Sequence, residues 1–293
     1  MWRLILTGTV ALLAILPAEL RGEDIFVCGW DEVYLLEIDG ESPQKVWSWR
    51  ARERTELPER FRELFRTTDE CKPIDGGRRV LVSASSGGLA LVERPSGQVL
   101  WYGYVGNAHS IELLPDGKVA VAGSTNKEGN RIAIFDLDHS DKQLYSVELY
   151  SGHGVIWDPE RRLLWALGYK ALNAYHLENW ESDTPSLSQA ATFELPDSGG
   201  HDLYPVPGSP DLIITTNEHV HLFDRDQKKF SFHPELCDKR RVKAVSVHPT
   251  TGRVAYVQAE GQNWWATQII LMKPSEIVPL PGEKIYKARW SLP

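Results

Sequence analysis

Positive charge and long apolar segments are both scarce in this chain of 293 residues. It has 32 lysines and arginines against 40 aspartates and glutamates, which gives a formal net charge of −8. An acidic chain of this kind gives no electrostatic reason to bind nucleic acid or an anionic membrane. The apolar run at residues 4–17 is too short to span a bilayer comfortably. We therefore expect neither nucleic acid nor membrane among the partners of the mature protein.

The first 22 residues have the order of features found in a signal peptide. A short basic start at residues 1–3 precedes the apolar run, and residues 18–22 supply a cleavage region. We expect export to the periplasm or the extracellular medium, leaving a mature chain of residues 23–293. The alternatives are an uncleaved anchor or a buried first strand.

Cysteine is also rare, with three residues and no C-x-x-C pair. An odd number of cysteines in an exported chain leaves at least one free thiol. Two alternatives stay open. Cys28 and Cys71 form a bridge, or these two and Cys237 are all buried thiols.

Helical periodicity is nearly absent, and short apolar or alternating runs between turn signals indicate β-strands. The exception is the charged segment 51–69, in which Leu57, Phe61, Leu64 and Phe65 recur at helical spacing after Pro58. This segment predicts an inserted amphipathic helix that caps an apolar part of one face.

What the chain has in abundance is one repeated hairpin. Residues 108–124 read A-H-S-I-E-L-L-P-D-G-K-V-A-V-A-G-S, a short strand led by a histidine, a P-D-G turn and a second strand. A histidine or lysine followed six positions later by proline recurs at spacings of 44, 48, 42 and 44, the length of a four-stranded propeller blade. The five pairs are His109 and Pro115, His153 and Pro159, His201 and Pro207, Lys243 and Pro249, and Lys287 and Pro293.

The repeat predicts an all-β fold, a single six-bladed β-propeller of four-stranded blades over residues 23–293. The first unit lacks an innermost strand, and residues 285–290, I-Y-K-A-R-W, supply one at the other end of the chain. Pairing this C-terminal strand with the N-terminal blade closes the ring and removes its open sheet edges.

The repeat also predicts a site, because the residues that lead the innermost strands should surround one mouth of the central channel. In the second unit Asp69, Glu70 or Lys72 could hold the leading place, since Gly76 and Gly77 lengthen the turn. Loops between the second and third strands should overlook the same mouth. They carry Trp30, Asp31, Asn217, Gln258, Trp264 and Trp265.

Two kinds of chemistry fit such a ring. His109, His153 and His201 can ligate a divalent transition metal such as manganese or zinc, with a carboxylate, Gln258 or water completing the coordination. Alternatively, the imidazoles stay free of metal and join lysines in binding the carboxylate or sulfate groups of an anionic ligand.

We expect an anionic carbohydrate of the uronic acid type as the ligand, because an exposed tryptophan pair beside a polar mouth suits stacking on a sugar ring. The residues expected to bind it are Lys287, Glu70, Lys72, Trp30, Asp31, Asn217, Trp264 and Trp265. Neutralising a uronate carboxylate acidifies the neighbouring C–H, and His153, His201 or Lys243 could remove that proton in β-elimination. Glycoside hydrolysis is less well supported, because no pair of carboxylates is evident.

The rival function is a non-catalytic propeller, a ligand-binding or scaffolding protein. With either function we expect a monomer. The propeller fold hosts both kinds of protein, so whether this chain is an enzyme stays open at this point.

Six segments together resemble an uncharacterised family of bacterial exported six-bladed propellers. They are G-N-A-H-S-I-E-L-L-P-D-G, H-G-V-I-W-D, L-W-A-L-G, G-G-H-D-L-Y-P-V-P, V-K-A-V-S-V-H-P-T-T-G-R and Y-K-A-R-W. This resemblance implies the fold and export but no activity. More distantly, His109, His153 and His201 are similar to the metal site of propeller-type oligogalacturonate lyases, which implies a metal with Gln258 as a further ligand and polysaccharide lyase chemistry.

Overall fold

The computed structural model describes residues 23–291, and these form six antiparallel sheets of four strands each. The sheets are the blades of a six-bladed β-propeller, which confirms the predicted fold. Blade 1 begins with β1 (Asp24–Gly29), β2 (Glu32–Glu37) and β3 (Gln44–Trp49). Blade 2 has β4 (Thr68–Ile74), β5 (Arg79–Ala84), β6 (Gly88–Glu93) and β7 (Val99–Tyr104).

The next three blades follow the same up-and-down order from the channel outwards. Blade 3 has β8 (Ala108–Leu114), β9 (Lys118–Gly123), β10 (Arg131–Asp136) and β11 (Gln143–Glu148). Blade 4 has β12 (Gly154–Asp158), β13 (Leu163–Leu167), β14 (Ala171–Glu178) and β15 (Ser186–Glu194). Blade 5 has β16 (Asp202–Pro205), β17 (Asp211–Thr215), β18 (Val220–Asp224) and β19 (Lys229–Phe232).

The last strand of the chain closes the ring. Blade 6 has β20 (Val242–Val247), β21 (Val254–Gln258), β22 (Gln268–Met272) and β23 (Glu276–Pro279), and β24 (Lys287–Trp290) then returns to blade 1. It pairs antiparallel with β1, with Cys28 opposite Lys287 and Ile25 opposite Trp290. The predicted closure by the C-terminal strand is confirmed, although the strand begins at Lys287 rather than at residue 285.

Apolar packing between neighbouring blades holds the ring together. Among the described residues there are six buried apolar clusters, and each joins two adjacent blades. The innermost strand β20 is buried at every position, whereas the outer strand β11 is half-buried or exposed throughout. Burial of apolar area is the main favourable term in folding, so these interfaces supply most of the stability.

The segment predicted as one inserted helix forms three short helical turns instead. They are a 3₁₀ turn at Ala51–Glu53, α1 at Glu59–Arg62 and a second 3₁₀ turn at Glu63–Phe65. Leu57, Phe61 and Phe65 are buried in the cluster between blades 1 and 2. The apolar spacing was therefore a correct guide to the buried face, but β4 begins at Thr68, inside the predicted segment.

The cysteines are free thiols. Cys28 and Cys71 are fully buried in the cluster between blades 1 and 2, and Cys237 is half-buried. Burial and a hydrogen bond with Cys71 raise the pKa of the Cys28 thiol well above its usual value. A Cys28–Cys71 bridge is not formed in this structure.

The predicted signal peptide and Pro293 lie outside the described residues. Within residues 23–291 no helix is both long enough and apolar enough to cross a membrane.

Candidate functional site

Each blade contributes one side chain to a ring around one mouth of the channel. Three of the innermost strands, β4, β8 and β20, carry a β-bulge at this place, at Asp69, His109 and Lys243. A bulge leaves one residue unpaired and re-aims its side chain. In the other three blades the equivalent residue directly precedes the innermost strand. In blade order the ring is Tyr286, Asp69, His109, His153, His201 and Lys243, and all six line one cavity.

This cavity has a volume of about 490 Å³. Its walls carry neutral hydroxyl and amide groups, and two partly exposed aromatic rings border it. Tyr169 is 37% exposed and Trp264 is 41% exposed, and they come from blades 4 and 6. The hydroxyl and amide groups belong to Ser85, Asn107, Ser124, Thr125, Ser151 and Asn217.

The backbone fixes the tautomers of two of the three histidines. His109 Nδ1 lies 3.0 Å from the carbonyl oxygen of Asn107, and His153 Nδ1 lies 2.9 Å from that of Ser151. A carbonyl oxygen only accepts, so each Nδ1 carries the hydrogen and each Nε2 keeps a lone pair. The rings are neighbours, with centroids 4.4 Å apart.

The imidazoles are neutral at neutral pH. Burial, with a contribution from the charges of Lys287 and Lys243, lowers the pKa of His109 to about 4. Burial likewise lowers the pKa of His153 and of His201 well below the usual value. The three histidines predicted at the mouth are therefore uncharged, because burial disfavours the charged imidazole.

Two other ring members titrate near neutrality. Burial raises the pKa of Asp69 to about 7, although hydrogen bonds from Ser85 oppose the shift. Burial and the charge of Arg241 lower the pKa of Lys243 to about 8. Asp69 Oδ1 lies 3.8 Å from His109 Nε2, and Lys243 Nζ lies 3.0 Å from His201 Nε2.

A buried network of four charges lies beside the ring, along the innermost strands. Lys287 Nζ lies 3.2 Å from Glu70 Oε2 and 3.0 Å from Asp202 Oδ1. Arg289 contacts the same two carboxylates at 2.8 and 2.7 Å. All four side chains are at most 2% exposed, so two cations are balanced by two anions without solvent.

Three strand residues expected to bind ligand do not line the cavity. Glu70 and Lys287 belong to the buried network, and Lys72 is bound to Glu112 Oε2 at 2.5 Å and to the carbonyl of Val155. The pairing explains the error. Glu70 pairs with Ser83, and Lys287 pairs with Cys28. Each therefore comes one residue after the ring member of its blade, as Ser110 comes after His109 in blade 3.

Of the loop residues expected at the mouth, some line the cavity and others do not. Trp30 stacks on Trp264 with ring centroids 5.1 Å apart, and it makes an edge contact with Trp265. Lys284 Nζ lies 4.2 Å from the centre of the Trp30 ring. Trp264 lines the cavity, whereas Trp30 and Trp265 do not. Asp31 is bound to Arg52 at 2.8 Å, outside the cavity.

Asn217 and Gln258 were both expected at the mouth, and they differ in outcome. Asn217 lines the cavity, and its Oδ1 lies 2.8 Å from His201 Nε2. Gln258 donates to the carbonyl of Arg240 at 2.9 Å and does not line the cavity. It is therefore not placed to complete a metal site with the histidines.

Comparison with known proteins identifies the family of the chain. A family of unknown function, DUF6528, matches residues 27–293. The chain belongs to this family. No curated protein matches the sequence.

Solved structures similar to this DUF6528 member share its architecture at low identity. A chain in a nidogen/laminin complex covers 92% of this chain and 99% of its own length, with a TM-score of 0.61 and 13% identity. Hydrazine synthase from Kuenenia stuttgartiensis covers 78% and 68%, with a TM-score of 0.53 and 13% identity. Such likeness shows the fold alone. These matches do not confirm the similarity to oligogalacturonate lyases.

Several important residues of this DUF6528 member were not predicted from the sequence. Tyr286 takes the ring place that the proline spacing gave to Lys287, whereas in blade 2 the place belongs to Asp69, one of the three candidates named from the sequence. Asp202 and Arg289 complete the buried network. An alignment of the inner strands on their apolar alternation, rather than on the proline, would have found the ring members.

Proposed function

We propose that the protein binds a carboxylated sugar of the uronic acid class in the cavity at the mouth of its channel. The observation that carries this proposal is the burial of Lys243, which lines the cavity and is only 7% exposed. Among residues 23–291 no carboxylate lies within 4.0 Å of its Nζ, and its hydrogen-bond partner is the neutral His201. A buried charge without a counter-ion is costly, so an anionic ligand supplies what the site lacks.

The rest of the cavity favours a ligand rich in hydroxyl groups. The neutral walls offer donors and acceptors, and the Nε2 lone pairs of His109 and His153 can each accept from a sugar hydroxyl. Trp264 and Tyr169 offer exposed aromatic surface at the rim, which suits contact with the apolar face of a sugar ring. Export of the mature chain to an environment that contains polysaccharides belongs to the same proposal.

Catalysis is the second candidate, and the titration of Asp69 near neutrality favours it. Lys243 would pair with the uronate carboxylate, and His153 would take the proton from the carbon next to it. The electron pair then forms a carbon–carbon double bond, the bond to the neighbouring glycosidic oxygen breaks, and protonated Asp69 gives its proton to that oxygen. The products are an unsaturated uronide and a shortened chain, as in a polysaccharide lyase.

The test is calorimetric titration of the mature chain, residues 23–293, with oligogalacturonate and with neutral galactose oligomers of the same length. We expect preferential binding of the acidic oligomer, weakened by salt, and a loss of at least about tenfold in affinity in Lys243→Met, equivalent to ~1.4 kcal/mol. Lys229→Met is the matched control, because Lys229 is exposed on the outer strand of blade 5.

Equal affinity for neutral and acidic oligomers, or unchanged affinity in Lys243→Met, would contradict the proposal. Ultraviolet absorbance of an unsaturated product, lost in His153→Ala, would add lyase activity to binding. Binding without this product would leave the protein a non-catalytic sugar-binding propeller.

A further inference from the structure

We propose a second site, a divalent transition metal centre of the zinc class, formed by Asp197, His219 and His221 in blade 5. None of these three residues was among the site residues predicted from the sequence. Within the described part of the chain, this is the one group of three or more His, Cys, Asp or Glu side chains whose ligand atoms all lie within 4.8 Å of one another. His109, His153 and His201 do not form such a group in this structure.

The three ligand atoms already lie close together. Asp197 Oδ2 lies 2.8 Å from His219 Nδ1 and 2.7 Å from His221 Nε2. One carboxylate oxygen thus lies between two ring nitrogens. When those nitrogens present lone pairs instead of hydrogens, the same convergence suits a cation.

The donor set selects the class of metal. Two imidazoles and one carboxylate are ligands used by zinc, manganese and iron, whereas magnesium and calcium prefer oxygen alone. Three protein ligands leave at least one position for water in tetrahedral coordination. His219 is 38% exposed in its side chain, so an ion can enter from solvent, while His221 is 3% exposed and anchors the site.

The surroundings hold the two imidazoles in place. Phe232 lies opposite His221 on the neighbouring strand and stacks on it at 5.3 Å, and the same ring meets His219 at 5.3 Å. Thr216 receives the backbone N–H of His219 on its Oγ1 at 3.1 Å, which fixes the turn that carries His219. Rotation of either ring away from Asp197 is therefore restricted before any ion binds.

The site also lies behind the cavity wall. Asp197 is in the loop that leads to Gly199 and His201, and His219 is in the turn that carries Asn217. The backbone N–H of Asn217 donates to the carbonyl of Ser198 at 3.4 Å, so loop and turn already touch. A metal bound by Asp197 and His219 would fasten together the two segments that place His201 and Asn217 at the mouth.

The test uses the mature chain, stripped with a chelator and titrated with Zn²⁺, and separately with Co²⁺ to follow its absorption bands. We expect one equivalent of metal per chain and a higher Tm with Zn²⁺. Affinity should fall at least about tenfold in His219→Ala and in Asp197→Asn. The second variant keeps the size of the side chain, and circular dichroism without metal establishes that each variant is folded.

Two controls make the outcome decisive. His139→Ala removes a histidine from a surface pair with Asp136 at 3.1 Å, where no third ligand is present among the described residues, and it should leave binding unchanged. His153→Ala should also leave it unchanged. The proposal is wrong if the wild-type chain takes up no stoichiometric metal, if His219→Ala and Asp197→Asn bind as well as wild type, or if only His153→Ala loses the metal.

Discussion

Lys243 is held in the cavity at a cost to the folded state. Burial lowers its pKa from 10.5 to about 8, so between these values the unfolded chain binds more protons than the folded chain. Stability attributable to this group therefore rises with pH over that range, and below pH 8 its charge destabilises the fold by roughly 3 kcal/mol.

Replacing this ammonium group by an apolar side chain should stabilise the protein while weakening ligand binding. We expect Lys243→Met to increase the free energy of unfolding at pH 7 by about 1–3 kcal/mol, with a smaller gain at pH 10. Denaturant titrations at the two pH values measure this, with Lys229→Met as the neutral control. A loss of stability at pH 7 would show that Lys243 has a counter-charge in the folded state.

Asp69 makes the predicted affinity for an anion depend on pH. Its pKa of about 7 means that the carboxyl is protonated on the acidic side of neutrality and negative on the alkaline side. If the proposed uronate binds there, its carboxylate would meet repulsion as pH rises through 7, in addition to the later loss of charge on Lys243.

We expect the affinity of the wild-type chain for oligogalacturonate to fall several-fold between about pH 6 and pH 8, because Asp69 ionises in this range. In Asp69→Asn the decline should be confined to the alkaline end, where Lys243 loses its proton. Calorimetry at three pH values distinguishes the two curves. Identical curves for both proteins would mean that Asp69 does not face the ligand.

At the scale of the element, the innermost strands decide which side chains face the cavity and which are sealed between the blades. The alternation of apolar and polar residues in each hairpin was enough to predict the strands, and the repeated spacing of a histidine or lysine to a proline predicted the convergence of His109, His153, His201 and Lys243. The bulges at Asp69 and Lys243 could not be predicted, because an extra unpaired residue depends on the partner strand and leaves no mark in the spacing.

The final strand shows the limit of spacing arguments more clearly. The interval from Lys287 to Pro293 matches the other units. Because Lys287 pairs with Cys28, however, the ring position of this unit falls one residue earlier than the spacing predicts. In a strand, a shift of one residue exchanges the two faces. The lysine expected at the mouth therefore lies in the buried network, and Tyr286 takes its place in the ring.

Removing one cation from the buried network should strongly lower the free energy of unfolding. Burial opposes ionisation of Glu70, but the charges of Arg289 and Lys287 lower its pKa to about 2. Since this folded-state pKa lies below the usual 4.5, the stability gained is present above pH 4.5 and is lost as pH falls towards 2.

We expect Arg289→Met to lower the free energy of unfolding by about 3–5 kcal/mol at pH 7, because it leaves buried carboxylates without a full complement of cations. The loss should be smaller near pH 3. Arg240→Met, which removes an exposed pair with Glu218, should cost no more than about 1 kcal/mol. Denaturant midpoints of the three proteins provide the comparison, and equal midpoints would rule out a stabilising role for the network.

At the scale of the whole molecule, the ring is held by six apolar interfaces and by one antiparallel strand pair that joins its two ends. The same architecture at 13% identity in the nidogen/laminin complex shows how little of the fold depends on particular side chains. The fold therefore does not identify a ligand, and the proposal of a uronic acid ligand depends on the side chains at the mouth.

The position of β24 also has a consequence for biosynthesis. Lys287 and Arg289 leave the ribosome after Glu70 and Asp202, the two carboxylates that they neutralise. A truncated chain lacks both the strand that completes blade 1 and the cations that allow two carboxylates to be buried. We therefore expect a chain that ends before β24 to remain open and sensitive to proteases, as a nascent polypeptide is.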